Sequence, residues 1–86
     1  MVFQVFFKKS AEKELAHLPG FIISKVKILV SQLALGVDLP NTKKLTGFNN
    51  LYRVRLGDYR LVYLKDTEIK IITITKIAHR KDVYRF

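Results

Sequence analysis

Leu51-Tyr-Arg-Val-Arg-Leu-Gly-Asp-Tyr-Arg-Leu-Val-Tyr63 decides the fold of this chain. Tyr52, Val54 and Leu56 alternate with Arg53 and Arg55, the period of two that marks a half-buried strand. Gly57-Asp58 follows, a two-residue loop of the Gly-X kind that suits a type II′ hairpin turn. With those residues as the loop, Leu56 faces Tyr59, Arg55 faces Arg60 and Val54 faces Leu61. Like charges directly opposite each other across strands are destabilising, so an Arg55–Arg60 pair implies an anion to be held there. Arg53 shares their sheet face.

Outward from the hairpin, residues 51–56, 59–65 and 68–77 read as successive strands, the last two linked by Asp66-Thr67. Connections this short force an antiparallel meander. Upstream, residues 2–7 are rich in β-branched and aromatic side chains and read as a first strand. Ser10 is then expected as an N-cap, with Glu12 and Glu14 in the first turn where the helix dipole favours acids. That helix runs to about Leu18 and stops at Pro19-Gly20. In a second helix, residues 21–35, Ile22, Val26, Leu29, Val30 and Leu33 fall at helical spacing and Gly36 suits the C′ position. Residues 37–50 read as a loop containing Lys43-Lys44. The order β-α-α-β-β-β gives one α+β domain over residues 1–86. Its sheet is small and antiparallel-dominated, with both helices on one face and a basic opposite face. Alternation sends Tyr52, Val54, Leu56, Tyr59, Leu61 and Tyr63 to the helix side, and Arg53, Arg55, Arg60, Val62 and Leu64 to the other. That second side joins cations to an apolar patch, which a two-residue Asp66-Thr67 turn would extend to Ile69 and Ile71.

Composition narrows the function. Eighty-six residues make a single modest core, since a chain this short buries only about 60–65% of its unfolded surface. Sixteen Lys and Arg against seven Asp and Glu give a net charge of +9, a field that favours polyanions, nucleic acid foremost. The excess is spread evenly, with seven basic and three acidic residues in 1–44 and nine and four in 45–86, so this is no basic tail on a neutral domain. The absence of cysteine excludes disulfides and thiolate metal sites. His17 and His79 are too few and too separated for a zinc signature. No apolar run approaches the roughly 20 residues of a membrane span. Residues 1–7 lack a charged n-region and a small-residue cleavage site, and a cytoplasmic location is expected.

Neither metal nor cofactor is called for, and the groups left for proton transfer are Tyr52, Tyr59, Tyr63, His79 and Tyr84, set among many arginines. Metal-free RNA cleavage through the substrate's 2′-hydroxyl needs a base, an acid for the departing 5′ oxygen, and cations against the charge growing on phosphorus. Arginine forks match phosphate oxygens, and Arg53, Arg55, Arg60 and Arg80 suit that third role. Nearby guanidinium groups favour a phenolate, which makes Tyr84 a candidate acid or base. Tyr52 and Tyr63 read instead as core residues with a tethered hydroxyl.

The block at residues 52–63, followed by Ile77-Ala-His-Arg-Lys-Asp-Val-Tyr84, resembles the RelE toxins of the RelE/ParE superfamily. The likeness also takes in the amphipathic helix pair and Lys43-Lys44-Leu45-Thr-Gly47. It implies a toxin of a type II toxin–antitoxin system, a ribosome-dependent endoribonuclease that cuts messenger RNA in the A site and is held inactive by a cognate antitoxin. It implies Arg53, Arg55, Arg60, Arg80 and Tyr84 as catalytic residues, and Lys43, Lys44, Lys76 and Lys81 are read as further RNA contacts. One departure matters: where the best-described members carry two lysines, this chain has Arg53 and Arg55. Arginine does not deprotonate in proteins and is a poor general base; Tyr84 or His79 takes the proton, or the base is supplied less efficiently. Two other readings stand beside this one, a ParE-like poison of DNA gyrase without nuclease activity and a non-catalytic RNA-binding module. The antitoxin is expected to be acidic and helical, and to cover Val62, Leu64 and their neighbours.

Overall fold

The computed structural model describes residues 2–37, 39–45, 47 and 50–81. Strand β1 (Gln4–Phe7) is followed by helices α1 (Lys9–Ala16) and α2 (Gly20–Ala34) and then by β2 (Thr42–Lys44), β3 (Leu51–Leu56), β4 (Tyr59–Asp66) and β5 (Ile71–His79). The strands form one five-stranded sheet in the order β1-β5-β4-β3-β2. The pairs β2–β3, β3–β4 and β4–β5 are antiparallel, while β1 joins β5 in parallel. The hairpin forms in the expected register, with Arg55 opposite Arg60 and Leu56 opposite Tyr59. Gly57 has φ +62° and Asp58 is not among the positive-φ residues, as a type II′ turn requires.

Both helices cover one sheet face. Ala11 of α1 and Ile22, Val26, Leu29 and Leu33 of α2 pack with Val54, Leu56, Leu61, Tyr63, Ile72, Ile74 and Ile77 in one buried cluster. Full burial of each large aliphatic side chain contributes about 1.5–3 kcal/mol, so this face holds most of the stabilising area. On the opposite face Leu51 and Val62 are buried together, with Leu45 packed against them. No helix among the described residues is long and apolar enough to cross a membrane.

Four local expectations are corrected. Ser10 does not cap α1. The Lys8 N–H donates to the Ile74 carbonyl at 2.8 Å, continuing the ladder to β5, and the helix starts directly after it with no side-chain cap. The stretch 37–50 is not loop throughout, because Thr42–Lys44 pairs with Tyr52–Val54 as a strand. The link between β4 and β5 is longer than two residues: β4 runs through Asp66 and residues 67–70 make the turn. There Asp66 Oδ1 accepts the Glu68 and Ile69 N–H groups at 3.0 and 3.1 Å, and Lys70 takes φ +59°. Finally, Val62 is only 1% exposed, so it is core rather than part of an open apolar patch. Gly36, by contrast, sits as expected at C′ of α2 with φ +77°. Its N–H reaches the Leu33 carbonyl and that of Val37 reaches Gln32, the two bonds of a Schellman cap.

A shift in the β4–β5 register between Val62 and Tyr63 marks a bulge. Beyond Phe7, which pairs with Ile74, β1 no longer covers this side of β5, and α1 takes over. Glu14 Oε1 accepts the Ile77 N–H at 2.9 Å and Oε2 accepts from Lys76 Nζ at 3.3 Å. A carboxylate on a helix thus satisfies the open edge of β5 two residues before His79.

Candidate functional site

Two strand pairings build a basic recess on the sheet face opposite the helices. In β3–β4 the register places Arg55 against Arg60, and in β2–β3 it places Lys43 against Arg53. Alternation keeps Arg53 and Arg55 on one face. Lys43, Arg53, Arg55 and Arg60 line a cavity of about 240 Å³ together with Asn41. No carboxylate stands among its described lining residues. Arg55 and Lys43 are exposed and Arg53 and Arg60 half-buried.

The turn explains how the like-charge pair is tolerated. Arg55 Nε donates to the Gly57 carbonyl at 3.3 Å, and Arg60 Nη1 donates to the same oxygen at 3.4 Å and to Tyr59 O at 3.2 Å. Both guanidinium groups therefore converge on one backbone dipole. These bonds are long, and a guanidinium fork carries five N–H donors in the planar arrangement that matches the oxygens of an anion. Arg80 joins the turn from the other side, its backbone N–H donating to the Asp58 carbonyl at 2.8 Å. Its side chain is exposed and is not part of the cavity lining.

The remaining expected residues go elsewhere. Lys44 pairs with Tyr52 and lines a cavity on the helix side with Tyr63 and Lys65. Lys76 is engaged with Glu14. Lys81 is exposed, and its backbone N–H donates to His79 Nδ1 at 3.3 Å. Tyr84 lies outside the described residues. Tyr52 and Tyr63 stack with ring centroids 5.5 Å apart on the helix side, the packing role read for them, and Tyr59 meets the His79 ring edge-on at 5.4 Å. Asn41 is the lining residue that sequence reasoning passed over. It has φ +63°, a conformation that asparagine tolerates better than most residues, and Pro40-Asn41 before the lysine pair is the turn signal that marks it.

Comparison with known proteins gives the family. A family model described as the ParE toxin of the type II toxin–antitoxin system parDE matches residues 5–84. The toxin RelE3 of Methanocaldococcus jannaschii is 30% identical over 87 residues, covering 96% of this chain and 97% of that protein. The toxin RelG of Mycobacterium tuberculosis is 33% identical over 89 residues, covering 99% of each. Among solved structures, the RelB–RelE antitoxin–toxin complex of Methanococcus jannaschii superposes with a TM-score of 0.81 at 29% identity, over 93% of this chain and 95% of that one. A match along nearly the whole chain, on the same five-stranded α+β frame, establishes that this chain belongs to the RelE/ParE family of type II toxin–antitoxin toxins.

Proposed function

We propose that this toxin is a metal-independent endoribonuclease that cuts messenger RNA in the ribosomal A site by attack of the 2′-hydroxyl on the adjacent phosphorus. The observation that carries the reading is the recess in which Lys43, Arg53, Arg55 and Arg60 converge. In this mechanism Arg60 and Arg80 bind the scissile phosphate and stabilise the charge that grows on its oxygens. Arg53 and Arg55 orient the RNA backbone, Lys43 adds a further phosphate contact, and Tyr84 handles a proton or stacks on a base. The nucleophile belongs to the substrate, so the protein need supply only geometry, charge and proton transfer. Cleavage assays on ribosome-bound message test this directly: wild-type protein cuts, and Arg60→Ala slows cutting by about 10²–10³-fold. Cutting by Arg60→Ala at the wild-type rate would refute the assignment.

The gyrase-directed reading is favoured by the family model, which bears the ParE description. Against it stand the relatives named RelE and RelG and a basic recess that suits a phosphodiester. Supercoiling assays with purified gyrase separate the two.

A cognate antitoxin is the second proposed partner, since the superposed archaeal RelE was solved as a complex with RelB. With Val62 buried, the apolar surface offered to it on the outer sheet face is Phe6, Leu64 and Ile69, which are 51%, 44% and 64% exposed. An acidic helix laid there would also reach the cations of the recess.

A further inference from the structure

We infer that His79 is a positioning residue for the nuclease site, holding the chain's exit from β5 through an acceptor bond rather than transferring a proton. The inference rests on the nuclease reading above and concerns how that site is assembled. His79 is the last residue of β5 and pairs with Tyr59, the first of β4. Its half-buried ring stands at 78° to the Tyr59 ring, centroids 5.4 Å apart. This edge-to-face contact fixes which way the imidazole points. Nδ1 then accepts the backbone N–H of Lys81, two residues on, at 3.3 Å. The geometry is that of an Asx turn, in which a side-chain acceptor replaces a backbone carbonyl and bends the chain.

Arg80 is the residue inside that bend. Its own N–H is on the Asp58 carbonyl at 2.8 Å, in the turn whose flanks carry Arg55 and Arg60. The residue is thus tied on both sides, by the β3–β4 turn before it and by the His79–Lys81 bond after it. A strand end frays unless its last groups are satisfied, and here the imidazole supplies that satisfaction next to the phosphate-binding cations. An acceptor Nδ1 requires the proton to sit on Nε2, which assigns the tautomer. The same bond occupies the Nδ1 lone pair and withholds it from a substrate hydroxyl.

The test compares the full-length wild type with His79→Asn, His79→Gln and His79→Ala. Asparagine Oδ1 occupies nearly the place of Nδ1 and accepts from the residue two ahead; glutamine's oxygen is one methylene too far, and alanine has none. Two readouts are taken, kcat and KM for cleavage of ribosome-bound message, and hydrogen exchange of the Lys81 amide. The expected result is rescue by asparagine. His79→Asn keeps kcat within about threefold, while His79→Ala and His79→Gln lose up to about 10²-fold with little change in KM, the scale of a misplaced group. The Lys81 amide exchanges faster in the alanine and glutamine variants and not in the asparagine one. If asparagine is as inactive as alanine, the imidazole itself is needed and the inference is overturned in favour of proton transfer. If alanine cuts like the wild type, His79 positions nothing of consequence. Should the wild type cut no message at all, the nuclease reading fails on its own. Lys81 exchange then still decides the bond: equal rates in wild type and His79→Ala would overturn it.

Discussion

Replacing Glu14 by alanine should destabilise the fold by about 2–4 kcal/mol, because its carboxylate makes two bonds to β5. Glu14 Oε1 accepts the Ile77 N–H at 2.9 Å, where β1 no longer covers β5, and Oε2 holds the Lys76 amine at 3.3 Å. Ile77 is 2% exposed, so its backbone donor has little recourse to water once the carboxylate is gone. A hydrogen bond to a charged group contributes about 1.5–3 kcal/mol. The Lys76–Glu14 pair is partly exposed, 24% and 29%, and adds at most about 1 kcal/mol. Glutamine keeps an acceptor for Ile77 and gives up only the charge, so Glu14→Gln should cost about 1–2 kcal/mol. Lys76→Ala removes the ion pair alone and should cost no more than about 1 kcal/mol. Urea titration measures these differences at constant m-value, and for a domain of this size each kcal/mol lowers Tm by about 4–8 °C. Ordering matters more than size: alanine worse than glutamine, and glutamine no better than Lys76→Ala. Equal stability of Glu14→Ala and Lys76→Ala would show that the bond to Ile77 contributes nothing and refute the reasoning.

Other expectations follow from the same geometry. Gly57→Ala meets nothing within 4 Å of the added Cβ but must adopt φ +62°, so it should cost about 1–2 kcal/mol from backbone strain alone, read as a lowered urea midpoint. Leu61 is 0% exposed in the main cluster, and Leu61→Ala should cost about 2–5 kcal/mol in the same assay. Lys43 and Lys44 are neighbours in sequence on opposite faces of β2. Lys43→Ala should weaken RNA binding and lower the salt slope by about one, while Lys44→Ala leaves the slope near that of the wild type, as salt-dependent binding measurements would show.

The hairpin was legible because turn chemistry, alternation and like-charge placement agree over Leu51–Tyr63, and each speaks to the same register. β2 was not legible: Thr42–Lys44 is three residues with no apolar alternation, and its strand state comes from the edge that β3 offers. The parallel β1–β5 pairing depends on contacts between residues far apart in sequence, such as Phe7 with Ile74, and no local pattern carries that. Ser10 misled because propensity competes with tertiary bonds, and the Lys8 N–H on the Ile74 carbonyl decided the helix start. At Asp66 the carboxylate captured two downstream N–H groups and lengthened the turn. In the site, Arg53, Arg55 and Arg60 line one cavity, and Lys43 joins them only because β2 exists. The Lys76–Glu14 pair was not legible, because the bulge in the β4–β5 register and the reach of Glu14 are tertiary facts.

The most direct test of the account uses a ribosome-bound message carrying a single 2′-deoxynucleotide immediately 5′ of the scissile phosphate in the A-site codon, beside an all-ribose control. The 2′-hydroxyl is the nucleophile in this account, so the control should be cut to a 2′,3′-cyclic phosphate end and the deoxy message should stay whole. Cleavage of both messages at the same position would contradict it, and so would failure to cut either.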